Sequence, residues 1–529
     1  MIALGSKTLK LYTLVHTWSG LLAGFALFIA FYAGAITMFH DELQQWADPG
    51  LRHVGAASVE QAQQLLDDVV TRYPASRGNL TLMLQGEETA RSYAWWFETV
   101  DGRSSFRNLT APGAASFDGE HQARTGLPDL IYRLHYTLGL PATFGLYLMG
   151  FICVIYGLAL ISGLIIHLPQ LFGDLFSLRI GKNLKRLWQD AHNVIGVLSL
   201  PFHLMYAFTG ALLCIALLFF AAFNFLVFDG KGEAAMRRVT AFSIPRESAN
   251  QPATMLPVSA LLARADAAVP GLQATRLRLE RYGDSSALAI VQGRAPGAFI
   301  ADVMVFMDAG SGRIVKLRKP GEREPYWAAE GGLTAFHYGQ YGGAVLKFVY
   351  FGLGLAGSFL FYSGNLLWLE SRRKRRQPQQ PRHHRVLARF AVGLPLGCVL
   401  GIALAAVVTL SLPESLADHV SWEWRAYYAG FFGALLWALA RPPIRAAIEL
   451  LWACAIAMIA LPVIDALITG DHLLRSALQR QWPVFGTDLV ALLMGLGFAA
   501  MARAAQRRAR DGEPNSVWAL PTKTAITEL

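Results

Sequence analysis

His16-Thr17-Trp18-Ser19-Gly20 heads a run that reaches Phe39 without a single charge, and its reading decides what kind of molecule this is. A glycine four residues after the imidazole lies on the same helical face. The same opening recurs three times, at His135-Tyr136-Thr137-Leu138-Gly139, His192-Asn193-Val194-Ile195-Gly196 and Phe336-His337-Tyr338-Gly339. In the first three cases the glycine stands at i+4. An imidazole is costly to bury without a partner, and a small residue beside it lets something bulky approach. A flat cofactor lying against helices satisfies both conditions, and haem, whose iron takes neutral imidazole as axial ligand, is the candidate that the residues point to.

The apolar runs are those of a membrane protein. Hydrophobic residues make up 54% of the 529, and charged ones only 16%, which excludes a soluble enzyme built around one large core. Eight spans are expected, over Leu11–Phe39, Thr143–Leu168, His192–Phe228, Ala344–Leu369, Val386–Leu412, Ala426–Ala440, Ala446–Ile468 and Val484–Ala502. Most reach the roughly 20 residues needed to cross about 30 Å of hydrocarbon. The sixth and eighth are the shortest.

The net charge of +10 is distributed as a topology signal. Lys7 and Lys10, then Arg179, Lys182, Lys185 and Arg186, then Arg372–Arg376, then Arg441 and Arg445, then Arg503–Arg510 all fall on one side if the spans alternate. The positive-inside rule makes that side, and both termini, cytoplasmic in a bacterial inner membrane. The basic balance therefore argues for a lipid bilayer and against a nucleic-acid partner. Ala33-Gly34-Ala35 resembles a cleavage site, but the apolar run before it is too long for a signal peptide, so an uncleaved anchor is expected. Cys153, Cys214, Cys398 and Cys454 all lie inside spans and form no disulfide framework.

Two polar segments interrupt the spans, and alternation places both in the periplasm. Each begins with a short amphipathic helix, Ser58-Val59-Glu60-Gln61 opening the first with a capping-box pattern and Pro257–Ala268 forming the second. Three strand-like runs follow in each: Leu80–Leu84, Tyr93–Val100 and Ser105–Leu109, then Thr275–Arg281, Ala287–Gln292 and Val303–Met307. The turn Asp308-Ala309-Gly310-Ser311-Gly312 predicts a terminal hairpin. The expected fold class is an α-helical polytopic membrane protein of about eight helices, with two small α+β modules inserted between helices one and two and between helices three and four. Its boundaries are residues 9–40 for the first span and 41–130 for the first module; 131–228 hold spans two and three with a cytoplasmic loop, and 229–335 the second module. Residues 336–376 hold the fourth span and its basic end, 377–385 a linker, 386–503 a C-terminal four-helix membrane module, and 504–529 a cytoplasmic tail.

These residues carry a resemblance. His16-Thr17-Trp18-Ser19-Gly20-Leu21, Gly34-Ala35-Ile36 and Phe39-His40-Asp41-Glu42-Leu43 look like the opening helix of the PepSY-associated transmembrane family. Asp190-Ala191-His192-Asn193 with Thr209-Gly210 is similar to its third helix, and His337-Tyr338-Gly339 with Ser363-Gly364-Asn365 and Trp368 to its fourth. The resemblance covers Leu9 to Arg376 and makes the two outer modules PepSY-like. It implies a ferric-siderophore reductase-like inner-membrane protein with two b-type haems. The chain departs from members that end in flavin and NADPH domains, since it has no Gly-rich dinucleotide loop, and its donor stays open between a cytoplasmic protein and a membrane quinol.

Alternating topology sorts the ligands. His16 and His192 fall near the cytoplasmic face and His135 and His337 near the outer face, giving two bis-His haem sites at different depths. Gly20, Gly139 and Gly196 are the expected close-approach residues, although small residues also mark helix packing on their own. Arg133 and Lys347 are candidates to neutralise propionates of the outer haem, and Lys10, Lys185 and Arg186 those of the inner one. His203, eleven residues after His192 and on the same face, is a rival ligand. His40 and His167 are expected at interfaces, and His383, His384, His419 and His472 in solvated linkers or loops. Trp95-Trp96-Phe97 is either a landing surface for a bulky ligand or a strand packing on its own helix. The expected activity is electron transfer to reduce a ferric siderophore or other ferric chelate in the periplasm. The alternative is a non-redox transporter or regulatory protein, whose intramembrane histidines relay protons or bind metal and whose modules bind a peptide or protein.

Overall fold

The computed structural model describes residues 5–52, 58–84, 93–100, 103–110, 125–168, 183–231, 244, 246–322, 325–339, 341–374, 376, 377, 379–413, 416 and 418–520. Arg179, Lys182 and Arg375 of the expected basic clusters lie outside them. The chain forms two compact units: Met1–Ala47, Thr125–Leu218 and Ala344–Leu529 in one, Asp48–Arg124 and Phe219–Gly343 in the other.

The first unit is helical. It holds α1 (Ser6–Thr37) and α2 (His40–Ala47). The second unit opens with α3 (Pro49–Arg52) and α4 (Val59–Arg72), followed by β1 (Asn79–Met83), β2 (Tyr93–Val100) and β3 (Arg103–Thr110). The chain then returns to the first unit through α5 (Leu127–Thr137), α6 (Ala142–His167), α7 (Leu184–Leu198) and most of α8 (Leu200–Leu226). The second unit resumes with α9 (Val258–Ala268), β4 (Gln273–Glu280), β5 (Leu288–Arg294), β6 (Asp302–Asp308), β7 (Ile314–Arg318) and α10 (Pro325–Tyr338). The first unit closes with α11 (Gly343–Ser371), α12 (Arg382–Ser411), α13 (His419–Ala440), α14 (Pro443–Thr469), α15 (Leu473–Leu478) and α16 (Trp482–Asp511).

Six of these helices, α1, α6, α11, α12, α14 and α16, are long and apolar enough to cross a membrane, so the protein is a polytopic membrane protein. The expected third span is a pair, α7 and α8, meeting at 71°. The break has a local cause: Pro201 has no N–H to give the carbonyl of Val197, and its ring crowds that carbonyl. The expected sixth span belongs to α13, which carries Glu423 and Arg425 and is not among the six. In the C-terminal module, Gly393, Gly397 and Gly401 put one small face of α12 against α13. A Cβ at Gly397 would come within 2.8 Å of the Phe431 carbonyl oxygen, and one at Gly401 equally close to that of Tyr427. Such contact replaces the hydrophobic drive that lipid removes.

In the second unit the two polar segments build one sheet. Its order is β3-β2-β1-β4-β5-β6-β7, every neighbour antiparallel, with Thr81 opposite Arg278 where the segments meet. Period-two alternation puts Leu80, Leu82, Leu277, Leu279, Val291, Val303 and Val305 on one face. Both helices, α4 and α9, cover that face and share its core. The expected capping box forms: Ser58 Oγ accepts from Gln61 N–H, and Gln61 Oε1 accepts from Ser58 N–H. The expected hairpin forms as well, with Asp308 accepting from Ser311 and Gly312 at φ 70°. Trp96 is buried against Tyr73 in this core, while Phe97 is exposed on the opposite face, so the aromatic triplet divides between packing and surface.

Candidate functional site

Three of the four histidines are held in one way. His16 places Nδ1 2.8 Å from the Ala159 carbonyl oxygen of α6, and its ring lies on Gly163, where a Cβ would come within 2.9 Å. His192 places Nδ1 3.1 Å from the Leu360 carbonyl of α11, over Gly364, where a Cβ would come within 3.2 Å. His135 places Nδ1 2.8 Å from the Ala30 carbonyl of α1, over Gly34, where a Cβ would come within 2.6 Å. In each case the acceptor stands four residues before the glycine. A helical carbonyl already accepts the N–H of residue i+4, here the glycine's own, and keeps a second lone pair. The missing side chain opens that lone pair to an imidazole from the next helix.

A carbonyl only accepts, so Nδ1 carries the proton and Nε2 the lone pair, the arrangement in which an imidazole ligates a metal. The Nε2 atoms of His16 and His192 have no hydrogen-bond partner among the described residues. The two rings stand 6.1 Å apart between centroids, at 71°. Among the described residues there is no cluster of three or more metal-ligating side chains. His16 and His192 would be the residues to hold a metal whose remaining donors come with it, as those of haem iron do.

The pair opens on a cavity of about 440 Å³, within the range of about 300–1,000 Å³ typical of cofactor sites. Gly20 and Gly196 both line it, and a Cβ at Gly20 would meet nothing within 4 Å. Leu21, Leu27 and Phe361 supply apolar wall, Asn193 and Asn365 polar wall, and among the described residues Lys185 and Arg372 are the only Lys and Arg side chains in the lining, with no carboxylate. That donor set, apolar with a basic edge, fits an amphipathic anionic macrocycle.

Other expectations are redistributed. Gly139 does not line this cavity: with Leu138 it forms the left-handed turn after α5, at φ 75° and 57°. Arg133 is exposed on α5. Lys347 is paired with Glu42 at 2.9 Å; of the three basic groups expected beside the His16–His192 pair, Lys10 and Arg186 are exposed and Lys185 lines the cavity. Arg372, which also stacks on Trp368 at 4.5 Å, joins it there. His203 is fully buried and does not line the cavity; its Nδ1 bonds the Tyr156 hydroxyl at 2.5 Å, and Nε2 has no hydrogen-bond partner among Phe31, Phe202 and Phe361. His337 lies in the last turn of α10, in the second unit, half-buried beside Tyr338. His384 and His419, expected in solvent, are buried, the former against Trp368. Asp190 and Asn193 flank His192 in sequence, but the Leu360 carbonyl is what orients its ring. The sequence marks Gly34, Gly163 and Gly364 as seats for the histidines by no local pattern beyond a serine before two of them, Ser162-Gly163 and Ser363-Gly364.

Fold and site together define a helical membrane protein with paired histidines set against glycines of neighbouring helices. The PepSY-associated TM region matches residues 13–371, and the chain belongs to that family. It is also similar to Uncharacterized protein PA4219 of Pseudomonas aeruginosa, 26% identical over 406 residues, which span 73% of this chain and 96% of that protein.

Proposed function

We propose that the protein is an inner-membrane di-haem b oxidoreductase that carries electrons across the bilayer to a ferric chelate, such as a ferric siderophore, for iron uptake. The observation that carries this is the His16–His192 pair, 6.1 Å apart, with both Nδ1 atoms committed to backbone carbonyls and a cavity between glycines beside them. Bound there, haem would supply one-electron transfer between a cytoplasmic or quinol donor and the chelated iron. The chain's own part is to hold and exclude: Ala159 and Leu360 carbonyls fix the ring planes, Leu27 and Phe361 keep water out, and Lys185 and Arg372 neutralise carboxylates at the basic edge. His135 repeats the same seating on Gly34 and is assigned to the second haem. Its partner, His337, is assigned on the sequence pattern.

The test is the visible spectrum of purified protein beside four variants, His16→Ala, His135→Ala, His192→Ala and His337→Ala. Near two b-type haems per chain are expected, with His16→Ala and His192→Ala losing the same one, and the reduced protein in liposomes should be reoxidised by a ferric chelate added outside. A colourless wild type would leave the proton-relay or transporter reading in its place.

A further inference from the structure

The C-terminal helices α12 to α16 take no part in the cavity, yet one of them grips the helix that carries His135. α5 is only eleven residues long, too short to hold its own shape, so its neighbours set its place. At its N-terminus Glu423 of α13 is fully buried and accepts from the Gly126 N–H at 2.9 Å and from the Thr125 hydroxyl at 2.5 Å. Thr125 Oγ in turn accepts from the Leu127 N–H at 3.0 Å, and Thr409 of α12 donates to the same carboxylate at 2.8 Å. At the other end the Tyr428 hydroxyl, also on α13, donates to the Gly139 carbonyl at 2.5 Å.

Glycines stand at both contacts, for different reasons. A Cβ at Gly126 would press on Val420 at 3.0 Å, whereas Gly139 is required by its left-handed φ of 75°, with the Tyr428 hydroxyl at an ordinary contact distance of 3.5 Å from where its Cβ would stand. Between the ends, Leu127, Leu130, Ile131 and Leu134 are buried in one core with Val399, Ile402 and Tyr427. Packing alone would hold α5 to that core. A buried carboxylate is an expensive way to add stability, and apolar residues would serve as well; what a hydrogen-bonded charge at a helix N-terminus adds is a defined register.

We propose that the C-terminal module is the positioning frame of the His135 helix, with Glu423 and Tyr428 clamping the two ends of α5 and thereby setting where the His135 imidazole stands. The inference rests on the reading of His135 as a haem ligand. It makes Glu423 and Tyr428 positioning residues.

The experiment uses the full-length protein, with Tyr428→Phe as the mild variant and Glu423→Gln as the stronger one. Two readouts are taken, amide exchange along α5 and the reduction potential of each haem. Expected are exchange at Gly126 and Leu127 at least about tenfold faster in Glu423→Gln, and in both variants a shifted potential for the haem that His135→Ala abolishes. The haem that His16→Ala abolishes should keep its potential. Unchanged α5 exchange, or faster exchange with both potentials unmoved, overturns the clamp. A colourless wild type overturns the haem reading alone, and α5 exchange still decides whether α13 holds the helix.

Discussion

Gly163 and Gly20 both border the His16–His192 site, but an added methyl group would act differently at each. At Gly163 a Cβ would stand 2.9 Å from the His16 ring, while at Gly20 it would meet nothing within 4 Å. Gly163→Ala should therefore displace the imidazole and lower the haem-to-protein ratio by about one, with Gly20→Ala keeping both haems; equal haem content in the two would show that ring seating does not matter. A second residue-scale prediction concerns His40, outside the spans at the head of α2. Burial alone would lower its pKa, but hydrogen bonds to Asp129 and Asp41 overcome that and raise it to about 9. Because the folded value lies above the unfolded 6.5, the stabilisation is complete below about pH 6.5 and is lost as pH rises through 9. The ring is 38% exposed, so solvent screens the effect. Thermal unfolding of wild type and His40→Asn should differ more at pH 6 than at pH 9.5, and a pH-independent difference would discount the ion pairs.

At the scale of elements, breaks in the chain do much of the positioning. His135 and His337 sit in the last turns of α5 and α10, and His192 sits on α7 just before the bend at Pro201. Ending a helix after the imidazole lets its axis be set separately from that of the apolar helix that follows. The elements are tied across the unit by buried polar bonds, one of which joins α2 to α16: Trp46 Nε1 donates to Asp488 Oδ1 at 2.8 Å, both side chains being buried. Asp488 thus has a structural use. Trp46→Phe removes the donor and shrinks the buried ring, so it should cost at least about 1–3 kcal/mol. Thermal unfolding in detergent measures this, and an unchanged midpoint would mean that the tie carries no stability.

For the molecule as a whole, the decisive fact is that both polar segments enter one sheet. β1 pairs with β4, and the fully buried Leu80, Leu82, Leu277 and Leu279 share a core beneath α4 and α9. Leu277→Ala should cost about 2–5 kcal/mol, and the loss should be felt on both sides of the junction. Amide exchange should quicken in β1 as well as in β5 and β6; protection retained in β1 alone would mean that the segments fold as separate modules. One core for two distant stretches of chain means that the chain leaves the first unit twice, before α5 and within α8, each time for the same sheet.

Apolar runs, the helix cap at Ser58, the hairpin at Asp308 and the four candidate histidines were legible because each depends on neighbours within a turn or two of chain. Span length, charge asymmetry and turn chemistry are local, and they determined that this is a polytopic membrane protein with a mixed α and β portion. Which histidine faces which, and on what surface, is not local: His16 finds its carbonyl 143 residues away and His192 168 residues away. The glycines that seat them, the merging of two strand sets into one sheet, and the grip of α13 on α5 were decided by tertiary packing. A glycine reads the same in sequence whether it makes a turn, admits a helix or exposes a carbonyl, and only the neighbour that fills the missing side chain's place distinguishes them.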